Sequence, residues 1–67
     1  MQLNINGNMT DMPETVKTVS DVKQYFHISS TVVIVEYNGD ILNKDRHEKQ
    51  EVRSGDKIEL VQFVGGG

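Results

Sequence analysis

The side chains able to carry chemistry in this sequence are few, and most of them stand in no productive pattern. His27 and His47 are twenty positions apart, with no HExxH or other compact ligand spacing. Each therefore reads as a solvated or partly packed histidine rather than a metal ligand. The ten carboxylates are scattered along the chain and form no recognisable acid/base pair. Ser20, Ser29, Ser30 and Ser54 lack the strand-turn-helix context of a nucleophile elbow. Lys44, Arg46, Lys49 and Arg53 are interleaved with Asp45, Glu48 and Glu51, which describes a solvated face of mixed charge rather than an anion site. The absence of cysteine removes thiol nucleophiles, disulfides, Cys-based zinc sites and iron-sulfur clusters. What is left is Gly65-Gly66-Gly67. No helix or lysine follows these glycines, so they are not a phosphate-cradling loop. Glycine loses more conformational entropy on ordering than any other residue, so the triplet contributes no stability to the domain. It does provide a narrow, extended arm ending in an α-carboxylate, thin enough to thread into the active site of another protein. On this reading the reactive group would be the terminus.

The elements that must carry this arm are limited by size. At 67 residues the chain is one domain. A domain of this length buries about 60% of the surface its unfolded chain exposes, so nearly every large apolar side chain is needed for the core and little remains to line a deep substrate pocket. The net charge of -3 and a pI near 5.1 speak against nucleic acid or an anionic membrane as partner, since both require a basic surface, and favour a protein partner. The longest apolar run, Val32-Val33-Ile34-Val35, is too short for a bilayer span or a signal-peptide core. A soluble, untargeted, cytoplasmic protein is expected.

Met1, Leu3 and Ile5 alternate with Gln2, Asn4 and Asn6, the period-two pattern of a half-buried strand. Asn6-Gly7 suits a tight hairpin, and Met9 to Met12 form the returning strand. A three-residue loop through Asn8 would pair Ile5 with Met9 and keep the apolar face continuous, and that register is expected over the two-residue alternative pairing Ile5 with Asn8. After Pro13 the period changes: Val19, Val22 and Phe26, with Tyr25 beside them, predict a short helix ending near His27, with Thr18 as N-cap and Asp21 at N3, Ser20 being the rival cap. The polar Ser29-Ser30-Thr31 connection leads into a central strand over Val32 to Tyr37. Asn38-Gly39 is a second turn signal, Ile41-Leu42 covers one edge of the core, and Asn43 to Gln50 reads as a loop holding at most one helical turn. A short strand around Glu51-Val52, a Ser54-Gly55-Asp56 turn and a last strand from Lys57 to Val64 complete the chain. In that last strand Ile58 and Leu60 share one face, whereas Val61 and Phe63 fall on the other and should point outward. The result is an α+β layer, a mixed sheet with one main helix on one face. Val22 and Phe26 are expected to pack over Leu3, Ile5, Val33, Val35, Ile58 and Leu60.

At this level of detail the chain resembles the small ubiquitin-like β-grasp sulfur carriers, and among them the ThiS family of thiamine biosynthesis. The resemblance rests on Met1 to Gly7, the helix-opening Thr18-Val19-Ser20-Asp21, Val32 to Gly39, the Ser54-Gly55-Asp56 turn leading into Ile58-Glu59-Leu60-Val61, and Phe63-Val64-Gly65-Gly66-Gly67. It implies a β-grasp domain over residues 1–64 and a C-terminal glycine tail over 65–67. Family members commonly end in two glycines, so the family's roles map onto Gly66 and Gly67, and Gly65 is the departure. The resemblance further implies a protein cosubstrate without a catalytic site of its own. An E1-like adenylyltransferase (ThiF type) uses ATP and magnesium to turn the Gly67 carboxylate into an acyl adenylate, sulfur exchange gives a thiocarboxylate, and thiazole synthase (ThiG type) accepts the sulfur. Val61, Phe63 and Val64 are the expected partner interface. Two neighbouring readings stay open: a molybdopterin-synthase small subunit, typically longer and often with proline before its glycines, and a ubiquitin-like interaction or conjugation module.

Overall fold

Two Asn-Gly dipeptides frame the sheet. In the computed structural model, which describes residues 1–28 and 33–62, strands β1 (Gln2–Ile5) and β2 (Asn8–Asp11) are joined by Asn6-Gly7 with φ of 51° and 85°, and Ile5 pairs with Asn8. The expected three-residue loop is therefore not the one formed. A two-residue turn with both φ values positive has the twist that continues two antiparallel strands, and Asn-Gly is the pair that adopts it most readily. That local preference outweighs continuity of the apolar face. Met9 consequently pairs with Asn4 and lies 59% exposed on the outer face. The core takes Met12 instead, just past the end of β2.

The second dipeptide, Asn38-Gly39 (φ 49° and 93°), joins β3 (Val33–Tyr37) to β4 (Asp40–Leu42) in the same way, with Tyr37 opposite Asp40. Between these hairpins lies β5 (Lys57–Gln62), parallel to β1 and antiparallel to β3, so the five-stranded sheet runs β2-β1-β5-β3-β4. With one α-helix among the described residues, a mixed sheet and β5 at its centre, this is the β-grasp arrangement. Val32, the Ser29-Ser30-Thr31 connection, and Phe63 to Gly67, which the sequence assigns to the third strand, the last strand and the tail, lie outside the described residues.

The helix α1 (Val19–Tyr25) starts where the sequence places it. Thr18 is extended, its Oγ1 accepts the Asp21 N–H at 3.2 Å, and Asp21 Oδ2 accepts the N–H groups of Thr18 and Lys17 at 3.1 and 3.0 Å, a complete capping box. The Lys17 N–H above all, aided by Thr18 and opposed by burial, holds the Asp21 carboxyl below its ordinary pKa. The helix ends in a Schellman turn: His27 adopts φ 57°, its N–H donates to Gln24 O, and the Ile28 N–H donates to Lys23 O. The segment that follows β4 holds a single 3-10 turn (Lys44–Arg46) and is tied to the start of α1 by Ser20 N–H to His47 O and Val19 N–H to Gln50 O. The expected strand at Glu51-Val52 is reduced to one bridge between Thr18 and Glu51.

The inner face buries Val19 and Val22 against Leu3, Ile5, Val35 and Ile58, with Met12, Val16 and Val52 closing the edges and Val33 and Leu60 partly covered. Phe26, which the helical spacing places among them, is instead the C-cap, 37% exposed, and stacks edge-on against Tyr25 at 5.2 Å. A seven-residue helix is used up by Val19 and Val22, one turn apart, and at the cap the chain has already begun to leave the helical spiral. Truncations should follow this order. Leu3→Ala, at a fully buried site, should cost about 2–5 kcal/mol, and Phe26→Ala distinctly less than the about 3–5 kcal/mol of a fully buried phenylalanine. Urea denaturation of the two variants checks the ranking; a larger loss for Phe26→Ala would contradict the packing.

Candidate functional site

The strand that leads toward the terminus is paired on both sides, with β1 and with β3, and is anchored at its start by side chains. At its start, Asp56 accepts the Arg53 N–H at 2.8 Å, the Tyr37 hydroxyl, and the Asn38 side-chain amide at 3.3 Å, while its main-chain carbonyl accepts the Asn4 N–H at 2.9 Å. Burial alone would raise the Asp56 pKa, but the Tyr37, Arg53 and Asn38 donors outweigh it and the carboxyl sits below its ordinary value. Tyr37 is correspondingly raised, by burial first and by the adjoining carboxylate second. Ser54-Gly55-Asp56 is thus an anchoring turn.

Each Asn-Gly turn also contributes its asparagine side chain to β5. Asn38 Oδ1 accepts the Lys57 N–H at 2.8 Å at the beginning of the strand. Asn6 does the equivalent further along: its Oδ1 accepts the Leu60 N–H at 2.7 Å, and its Nδ2 donates to the Leu60 carbonyl at 3.4 Å. Both asparagines are thereby engaged twice, in a backbone conformation with positive φ that asparagine tolerates and in a contact that glycine could not make.

Toward its far end β5 presents Val61 on the outer face of the sheet, 44% exposed, as the strand alternation predicts. Its direct cross-strand neighbour on β3 is Ile34, 37% exposed. Two residues back on the same face, Glu59 lies opposite Glu36, with Lys57 Nζ 3.7 Å from Glu59. The face therefore has an apolar pair near the exit of the strand, bordered by charge. Sequence reading placed Val61 there but missed Ile34, because only the β3–β5 register makes them neighbours. Phe63, Val64, Gly65, Gly66 and Gly67, the other site residues expected from the sequence, lie outside the described residues.

The two histidines diverge. His27 is exposed at the helix end, as a solvated residue, whereas His47 is 2% exposed. Its Nε2 is 3.1 Å from Leu42 O and its Nδ1 is 2.8 Å from Lys23 Nζ. The carbonyl needs a donor and the ammonium an acceptor, so the imidazole is neutral with its proton on Nε2. Burial chiefly, with the Lys23 and Lys44 charges, lowers its pKa, while the Leu42 carbonyl and Asp45 act the other way. The sign follows. The unfolded chain takes up a proton near pH 6.5 that the folded chain resists, so stability is complete above that pH and falls as pH drops toward the lowered folded value. Thermal unfolding between pH 7.5 and 5.5 should show a falling midpoint in the wild type and a flatter profile in His47→Gln. A second decline is expected as the pH falls below about 4, because there the unfolded chain protonates Asp21 and Asp56 while the folded chain, with both carboxyls held below their ordinary pKa, resists. Among the described residues no three His, Asp or Glu side chains converge on a point where a metal ion could be held. Among the same residues no helix is long and apolar enough to cross a membrane.

The fold and the anchored central strand define a ubiquitin-like β-grasp domain. The ThiS family model matches residues 3–67, and the chain belongs to that family. It is similar to the sulfur carrier protein ThiS of Bacillus subtilis (strain 168), 35% identical over 65 residues that cover 97% of this chain and 98% of that protein. It is also 36% identical, over its whole length, to a segment making up 20% of a thiazole synthase from Paramagnetospirillum magneticum. The crystal structure of the thiamine biosynthesis protein ThiS from Geobacter metallireducens superposes over the full length of both chains with a TM-score of 0.83 and 28% identity.

Proposed function

We propose that this chain is a sulfur carrier of thiamine biosynthesis, a protein cosubstrate whose Gly67 α-carboxylate is first adenylated and then converted to a thiocarboxylate. The observation that carries the reading is the family match, which extends through the terminal glycines to residue 67. A carboxylate is a poor electrophile, because it is anionic and lacks a leaving group. Its mixed anhydride with AMP is activated, and exchange with a sulfur nucleophile leaves a soft, nucleophilic C-terminal sulfur. ATP and magnesium belong to the activating enzyme, an E1-like adenylyltransferase. Val61 and Ile34, with Phe63 and Val64 beyond them, form the surface on which that enzyme docks, and Gly65, Gly66 and Gly67 form the lead into its active site.

The acceptor is a thiazole synthase. Support comes from the Paramagnetospirillum magneticum protein, named a thiazole synthase, of which a segment similar to this whole chain makes up 20%. The decisive experiment supplies the thiocarboxylated chain separately to a thiazole synthase and to the large subunit of a molybdopterin synthase. Thiazole phosphate should form in the first mixture, with the carrier returned to its carboxylate mass. Sulfur transfer in the second mixture alone would replace this reading by the molybdopterin one.

A further inference from the structure

The two Asn-Gly turns are alike in conformation, and each lends its asparagine to β5, but they hold it at different places. Asn38 holds Lys57, where the strand begins, and Asn6 holds Leu60, two residues before the last described position, Gln62. The main chain of β1 cannot serve Leu60: its last main-chain bond to β5 runs from the Asn6 N–H to Ile58 O at 3.0 Å, and the chain then reverses through Gly7. The Asn6 amide, with one acceptor and one donor directed at the N–H and carbonyl of a single residue, takes the place of one further residue of strand. We propose that Asn6 is a positioning residue for the carrier reaction: by extending the sheet past the end of β1, its side chain sets the direction in which β5 leaves the domain and so the direction from which the terminal carboxylate is delivered.

The proposal rests on the sulfur-carrier reading for its consequence, though not for its geometry. Without the clasp, β5 beyond Ile58 is held, among the described residues, by main-chain hydrogen bonds from β3 alone, which pairs with it through Val33 and Gln62. A strand held on one side only can swing about that edge. A terminus that must reach an active site in one orientation then spends less time there, and the loss falls on turnover rather than on docking, because Val61 and Ile34 remain in place. Asn38 supplies the matched control, with the same turn and the same kind of contact at the opposite end of the strand.

The test compares Asn6→Gly, Asn6→Asp and Asn38→Gly with the wild type. Glycine accepts the positive φ at either turn, and Asp keeps the acceptor for the Leu60 N–H while losing the donor to its carbonyl. Amide exchange followed by NMR should be about tenfold faster at Leu60 in Asn6→Gly, the size of effect one hydrogen bond supports. In Asn38→Gly the accelerated amide should be Lys57. With the activating enzyme, magnesium and ATP, kcat for pyrophosphate release should fall about three- to tenfold in Asn6→Gly with KM for the carrier unchanged, and less in Asn6→Asp. Asn38→Gly should keep the wild-type kcat even where its thermal midpoint falls as far. Equal kcat losses in the two glycine variants, or an unchanged kcat in Asn6→Gly, would overturn the proposal. If the wild type itself releases no pyrophosphate, the sulfur-carrier reading fails, and residual dipolar couplings of the Val61 and Gln62 N–H vectors decide the positioning role. A reorientation specific to Asn6→Gly upholds it, and couplings equal to the wild type overturn it.

Discussion

Deleting Gly67 is expected to abolish pyrophosphate release by the activating enzyme while leaving the thermal midpoint within experimental error of the wild type. The two halves of this expectation have separate physical grounds. Among the described residues, every buried side chain of the core lies at or before Ile58, so removing a residue nine positions further along takes nothing from the packing that holds the fold. The chemistry, in contrast, is assigned to one carboxylate at one distance from the docking surface. The deletion leaves a carboxylate of the same kind but shortens its reach by about 3.3–3.6 Å, and a misplacement of about 1 Å from an in-line geometry is already enough to cost on the order of a hundredfold. Gly66→Val should reduce activation for a different reason, since a branched side chain must enter a channel that admits bare backbone. Lys44→Ala, on the exposed crossing segment, should leave it unchanged. Normal activation of the Gly67 deletion would mean that the terminus is not the reacting group.

Val61→Asp should separate docking from folding. Val61 is 44% exposed and makes its cross-strand contact with Ile34 on the outer face, so an aspartate there remains solvated in the free domain and costs little stability. In a complex the same carboxylate would be desolvated without a partner. Central interface positions of this kind lose about 2 kcal/mol or more when disrupted, and that corresponds to about a thirtyfold rise in KM for the carrier. Ile34→Asp should behave alike. The double variant should lose less than the sum of the two, because the side chains are neighbours in one patch. Titration against the activating enzyme, alongside thermal unfolding of each variant, distinguishes the outcomes. Unfolding of Val61→Asp would make the pair part of the core, and unchanged affinity would remove it from the interface.

Local chemistry made much of this structure legible before any coordinates. Thr18 and Asp21 specify the start of the helix through bonds between residues three apart, and Ile58, Leu60 and Val61 specify which face of the last strand is buried through simple alternation. Both signals are contained within a few consecutive residues. The features that local chemistry does not determine depend on distant residues or on competition between two local preferences. For the first hairpin, apolar continuity argued for pairing Ile5 with Met9, but the twist of an Asn-Gly turn set the register and left Met9 exposed. Phe26 matched the helical spacing, yet whether a residue at that spacing is buried depends on where the helix stops, and the left-handed turn at His27 stops it one residue too early. His47 had no informative neighbours in sequence. Its hydrogen-bond partners, Lys23 and Leu42, come to it only in the folded chain. Ile34 and the Asn6 side chain gained their significance in the same way, from partners 27 and 54 positions away.

The carrier chemistry is tested most directly by the mass of the chain after incubation with the activating enzyme, magnesium, ATP and a sulfur source, followed by proteolytic mapping. The intact mass should rise by the difference between one sulfur and one oxygen, and the whole of that gain should be found in the peptide ending at Gly67. No gain under conditions that activate an authentic family member, or a gain located on an internal side chain, would contradict a carrier whose reactive group is its terminal carboxylate.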